Sequence, residues 1–234
     1  MTGGGMESKQ RVVRRNALLS RLLNAAAAAM LALLVYSVVQ DNLSDQLQHS
    51  WPWRLRLLDV QSATTAALAV LGACLARAQY ARTVRPALGH SGRAVDGVAP
   101  FGQRAWACVL TNAAQDVAVI SDIAFLVTFV PAAPGEQPPE PSPWGTALQA
   151  IGRITAEGLE LRKDFMLTVM TAGVPVPSQG MLFLGWFTER AMRVVDEVYI
   201  RVQVVDRVGD THERIIACLK AADRTPAHSD PELS

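Results

Sequence analysis

The residue types best able to do chemistry gather near the C-terminus, where Asp206, Asp210, His212 and Glu213 fall within eight positions. Carboxylates and an imidazole could hold a divalent cation if a turn folded them onto one point. The same residues also set and solubilise ordinary turns, so the expectation is a solvated hairpin tip with no metal. Asp122, close to Ile120 and Ile123, reads as a bulge or sheet-edge residue. Arg162, Lys163 and Asp164 read as a surface strand feature, and Trp106, Trp144 and Trp186 as core or rim aromatics.

Cys74, Cys108 and Cys218 form no C-x-x-C pair and have no metal-ligand spacing. In a cytosolic domain they read as buried free thiols, whereas in an oxidising compartment Cys108 and Cys218 could pair across strands. His49, His90, His212 and His228 are scattered. The chain contains no H-E-x-x-H, no P-loop, no G-x-G-x-x-G after a strand and no G-x-S-x-G. The expectation is a non-enzymatic protein with no catalytic, cofactor-binding or metal-ligating residues, and no cofactor.

The elements that carry these residues follow from where the hydrophobicity lies. The 234 residues are 50% hydrophobic and 18% charged, with mean hydropathy +0.18, which excludes intrinsic disorder. A net charge of +1 gives no whole-protein field for nucleic acid, so no nucleic-acid partner is expected. Leu22 to Val39 is an 18-residue stretch without a charge, about 27 Å as a helix, close to the thickness of a bilayer core. Residues 60–76 form a second, weaker uncharged stretch with Gln61, Ser62, Thr64 and Thr65 in its first two turns.

The first stretch resembles a signal sequence in following Arg14, Arg15 and Arg21. It is longer than a usual signal core, however, and its exit at Val38-Val39-Gln40-Asp41 has no small-x-small cleavage site. Both stretches therefore read as transmembrane helices, 22–39 and 60–76, embedded in a lipid bilayer. Lys9, Arg11, Arg14, Arg15 and Arg21 precede them; only Arg54 and Arg56 lie between; Arg77, Arg82, Arg85, Arg93 and Arg104 follow. The positive-inside rule then puts residues 1–21 in the cytoplasm as a basic N-terminus and 40–59 outside as a short loop. It makes 77–104 a basic cytoplasmic linker, and the whole a multi-pass inner-membrane protein.

Trp51 and Trp53 suit the headgroup layer at the start of the second stretch. Small residues recur at four-residue spacing, as in Ala25 with Ala29, Ala28 with Ala32, Ala63 with Ala67, Ala69 with Ala73 and Gly72 with Ala76. Such faces can close a hairpin or join copies into a homo-oligomer. Asn24, Gln61, Ser62, Thr64 and Thr65 are expected to lie at the interface or to bond the backbone.

From residue 105 to 222 the pattern is that of strands. The candidates are 105–111, 117–130, 159–170, 180–188, 197–206 and 211–219, with short helices near 147–151 and 189–195. Val198, Ile200, Val202 and Val204 alternate with more polar neighbours, and Asp206 to Asp210 makes a turn containing Gly209. This is a hairpin with one buried face. The fold class is thus membrane-anchored and mostly β: a two-helix transmembrane hairpin followed by an antiparallel β-sandwich or small β-barrel. Six prolines in 131–143 make an exposed loop, and 223–234 reads as a disordered tail. Acidic residues outnumber basic ones after residue 105, which suits a domain held off the bilayer by the basic linker.

The segments VLTNAAQDVAVISDIAF and VYIRVQVVDRVGDTHE resemble the strand–turn–strand units of uncharacterised bacterial membrane proteins that join an N-terminal transmembrane hairpin to a C-terminal β-sandwich. The layout is also similar to that of bacterial antiphage effectors whose β-barrel binds a cyclic nucleotide and triggers membrane disruption; no ligand motif is shared. The first resemblance implies a β-sandwich and no particular activity; the absence of catalytic residues beside the membrane and β signals gives the expectation of an adaptor or sensor whose cytosolic β-sandwich binds a protein or a small ligand. The second implies a ligand-gated, membrane-disrupting effector of nucleotide-signalled defence.

Overall fold

Alternating burial along the last two long strands dictates the middle of a sheet. In a computed structural model, which describes residues 6–42, 59–131 and 140–224, β8 (Val195–Val205) and β9 (Thr211–Ala217) pair in antiparallel register from Tyr199 opposite Ala217 to Val205 opposite Thr211. Val198, Ile200, Val202 and Val204 are fully buried, while Tyr199, Arg201, Gln203 and Val205 are half-exposed. On its other side β8 pairs with β4 (Ala118–Phe129), whose ladder slips between Ile120 and Asp122. That slip is the bulge expected at Asp122. The carboxylate there meets Arg201 at 3.3 Å.

The five-stranded sheet has the order β1-β9-β8-β4-β6, with β1 at Ser8–Arg14 and β6 at Pro175–Val176. A second, four-stranded sheet has the order β2-β3-β7-β5, from β2 (Leu88–Val95), β3 (Ala105–Asn112), β7 (Gly180–Thr188) and β5 (Phe165–Leu167). Among the described residues, every strand pairing within the two sheets is antiparallel. Residues of both sheets share one core, including Leu110, Phe165, Leu184 and Phe187 from the second and Ile120, Phe125, Ile200 and Ile216 from the first. Each such side chain contributes about 1.5–3 kcal/mol on leaving water. Helix α3 (Ala147–Ala156) packs Ala147, Ala150 and Ile154 into the same core, and its start is fixed by a capping box between Thr146 and Gln149. Helix α4 (Glu189–Val194) follows β7 directly.

Three expected segments differ from the structure. Residues 8–14, read as part of a basic N-terminus, form the edge strand β1 against β9. The 77–104 linker is instead the end of a helix, then β2. The two glycines of β2 are a packing requirement: a Cβ on Gly92 would lie 2.4 Å from the Trp106 indole, and one on Gly89 would lie 2.5 Å from Thr111 Oγ1. The 159–170 candidate shrinks to Phe165–Leu167, because residues 160–164 form a turn closed by Asp164 N–H donating to Glu160 C=O and Glu160 N–H donating to Asp164 Oδ2. The 131–143 loop, the 40–59 loop and the tail lie mostly outside the described residues.

By internal contacts, residues 16–83 form a unit separate from the β domain. It comprises α1 (Ala17–Asn42) and α2 (Val60–Thr83), both long and apolar enough to cross a membrane. Among their less exposed residues runs a series at three-four spacing: Leu23, Ala26, Met30, Leu33, Ser37 and Gln40 on α1, with Val60, Ala63, Ala67, Val70, Cys74, Arg77 and Ala81 on α2. A 3.5-residue repeat is the pattern of a left-handed two-helix seam. Ala63 and Ala67 are buried in it, so this small-residue pair closes the hairpin. Thr64 and Thr65 hydroxyls donate to the carbonyls of Val60 and Gln61, satisfying themselves within α2.

Candidate functional site

The final hairpin assembles its polar residues differently from a cation site. Asp206 Oδ1 accepts from Val208 N–H and Asp210 N–H, both at 2.9 Å, which shapes the turn. Its Oδ2 lies 2.9 Å from His212 Nε2. Only 6% of Asp206 and 2% of His212 is exposed, so the expected solvated tip is a buried polar pair. The neighbouring residue, Glu213, is committed elsewhere: Oε1 accepts from Arg11 on β1, and Oε2 accepts from Gln203 at 2.8 Å. Burial pushes the Glu213 carboxyl up, but the bonds from Gln203 and Arg11 outweigh it and hold it below the usual range. Among the described residues no three metal-ligating side chains converge.

Gln10 extends this network. Its Nε2 donates to Pro86 C=O at 2.6 Å and lies 3.5 Å from His212 Nδ1, while its Oε1 accepts from Leu88 N–H at 2.9 Å. Asn112 Oδ1 accepts from Ala87 N–H at 3.3 Å, and an Arg214 guanidinium N–H donates to Leu88 C=O. Residues 86–88, which follow α2, are therefore gripped by side chains of β1, β3 and β9. Gln10 itself precedes α1. Sequence reasoning missed this clamp because nothing in a lone Gln marks it as a partner for backbone 76 to 78 positions away.

The buried Glu197 is a second residue that sequence reading passed over. Its Oε1 accepts from Val198 N–H at 2.9 Å and Leu219 N–H at 2.6 Å. Burial dominates over these bonds and raises the carboxyl to about 7. Cys108 and Cys218 are buried free thiols, and Cys74 is a half-buried one. A hydrogen bond with Cys108, together with burial, pushes the Cys218 thiol up and keeps it unreactive. Trp106 Nε1 donates to Cys218 C=O at 2.8 Å, Trp186 is buried, and the Arg201 guanidinium lies 5.3 Å from the Trp144 ring.

An open cleft of 710 Å³ lies at one end of the four-stranded sheet. Register brings its walls together: Val95 faces Ala105, Ala105 faces Thr188, and Phe165 faces Phe187, so the β2–β3 loop, the turn before β5 and the start of α4 share that end. Asp164 frames the floor, accepting from Glu160 N–H and from Arg190 at 3.2 Å; Arg190 also donates to Gly158 C=O at 3.1 Å. This replaces the surface strand expected at 162–164. Thr188 Oγ1 donates to Asp164 C=O at 2.8 Å. Phe101 stands on the rim, 90% exposed, with φ of 59°. A bulky residue in the left-handed region costs about 1–2 kcal/mol, a strain typical of binding loops.

No protein-family model matches the chain, and no curated protein matches it.

Proposed function

We propose that this chain is a two-span membrane protein whose β-sandwich is a non-enzymatic binding module, an adaptor or sensor for a protein or small ligand. The observation that carries this reading is the pairing of β1 with β9. β1 precedes α1, and β2 follows α2, yet both belong to one domain. If α1 crosses a bilayer, α2 must cross back. The greater number of Arg and Lys residues flanking the pair than lying between α1 and α2 supports a cytoplasmic domain. A non-catalytic role is supported by the commitment of Asp206 and His212 to a turn and a buried hydrogen bond, and of Glu213 and Asp164 to ion pairs with Arg11 and Arg190.

The test is labelling of intact cells with a membrane-impermeant maleimide, using single cysteines added by Ser50→Cys or Glu140→Cys in a background lacking the native three. Labelling at position 50 alone, with position 140 reached only after permeabilisation, is the expected result. Labelling at 140 in intact cells would put the domain outside and sink the reading.

The clamp on residues 86–88 favours a second reading, a ligand-gated effector that disrupts the membrane. Any displacement of β9 reaches chain flanking both helices. Loss of membrane potential upon expression with a stimulating nucleotide would support it, and an unchanged potential would count against it.

A further inference from the structure

We propose that the cleft beside Phe101 binds a small anionic ligand that carries a planar ring. An exposed phenyl ring held in a strained backbone at the rim of a 710 Å³ cleft offers a stacking face that nothing in the fold uses. Clefts of this size hold small ligands. Around it stand four cations, each with a carboxylate partner: Arg104 with Asp96, Lys163 with Glu160, Arg190 with Asp164 and Arg193 with Glu189.

The carboxylates orient the guanidinium groups rather than hiding them. Arg104 lies 3.5 Å from Asp96 and Arg193 pairs with Glu189, yet their side chains remain 39% and 69% exposed. Guanidinium forks so placed can donate to a phosphate or carboxylate while the ring of the same ligand stacks on Phe101. Arg190 is bound to Asp164 and Gly158 and is assigned to the frame.

The inference rests on reading the β-sandwich as a binding module and not on membrane topology, so titration and cysteine labelling can fail separately. The experiment is calorimetric titration of the full chain in nanodiscs with 1-naphthyl phosphate, corrected against empty nanodiscs, beside 1-naphthol and inorganic phosphate. Saturable binding of the naphthyl phosphate is expected, weakened about tenfold or more by Phe101→Ala and by Arg104→Ala with Arg193→Ala, in line with one lost stacking or charge-assisted contact each. Unchanged melting temperatures certify that these exposed substitutions leave the fold intact. Absence of saturable binding overturns the proposal. So does equal affinity for naphthol or for phosphate alone, or affinity undiminished in the variants.

Discussion

Gln10 and Leu88 stand 78 positions apart, and the Gln10 side-chain carbonyl accepts the Leu88 N–H at 2.9 Å while its amide donates to Pro86 C=O. One side chain thereby substitutes for backbone pairing where β1 of one sheet meets the start of β2 in the other. The bonded atoms belong to the two stretches of chain that flank the helical pair.

Removing that side chain leaves a part-buried carbonyl and amide without partners. Gln10→Ala is expected to destabilise the domain by about 1–3 kcal/mol, the desolvation cost of groups left unpaired. Gln10→Glu should cost at least as much, because a carboxylate cannot donate to Pro86 C=O. Urea denaturation followed by tryptophan fluorescence checks both, and stability equal to wild type in Gln10→Ala would remove the clamp from the account.

Glu197 makes stability depend on pH in a sign opposite to that of a salt-bridged carboxylate. Its folded pKa is raised to about 7 from the ordinary 4.5, chiefly by burial, so the folded state holds the proton more tightly than the unfolded chain. The stabilising contribution is complete below pH 4.5 and is lost as pH rises to about 7. The shift corresponds to roughly 3 kcal/mol. Glu197→Gln keeps an acceptor for Val198 and Leu219 but cannot ionise. The difference in urea midpoint between this variant and wild type should therefore grow in the variant's favour from pH 5 to pH 8. A constant difference across that range would contradict the assignment.

Two glycines of the β domain should respond in opposite senses. Gly152 lies exposed inside α3, and nothing stands within 4 Å of an added Cβ. Gly152→Ala should stabilise by about 0.5–1 kcal/mol through helix propensity and a less flexible unfolded chain. Gly92→Ala instead drives a methyl into the Trp106 ring, with the nearest carbon at 2.4 Å. It should lower stability by about 1–3 kcal/mol as overpacking does. Thermal melts of the pair, measured side by side, check the contrast.

How much was legible in the sequence divides along the same physical line. Strands β4, β7, β8 and β9 carry their own signal, because alternating or continuous burial requires apolar residues at fixed spacing. β1 and β2 carry almost none. The β1 sequence SKQRVVR is polar because it is an edge, and β2, LGHSGRAV, is small because Trp106 and Thr111 fill the space its side chains would take. The cleft could not be read at all, since it joins a loop, a turn and a helix start separated by roughly sixty and twenty-five residues through strand register. The Asp206–His212 pair was visible as a cluster, but neither its burial nor the approach of Gln10, 202 positions away, to within 3.5 Å of His212 Nδ1 could be read from spacing.

The helical pair gives a prediction that rests on spacing alone. Cys74 Sγ lies 3.8 Å from Leu23 C=O, which places these two positions side by side in the seam. A cysteine introduced by Leu23→Cys should therefore be oxidised to a disulfide with Cys74 by copper phenanthroline in membranes, whereas Leu22→Cys, exposed on another face, should not. Protease cleavage between the helices followed by non-reducing electrophoresis reads the cross-link as retained joined fragments. Ala63 is 1% exposed, so Ala63→Leu forces the helices apart in the same seam and should lower the cross-linking yield. Leu68→Ala, 64% exposed, should leave it unchanged. Equal yields from Leu23→Cys and Leu22→Cys would mean that the seam does not persist in lipid, and the three-four spacing would then be no guide to how the hairpin closes.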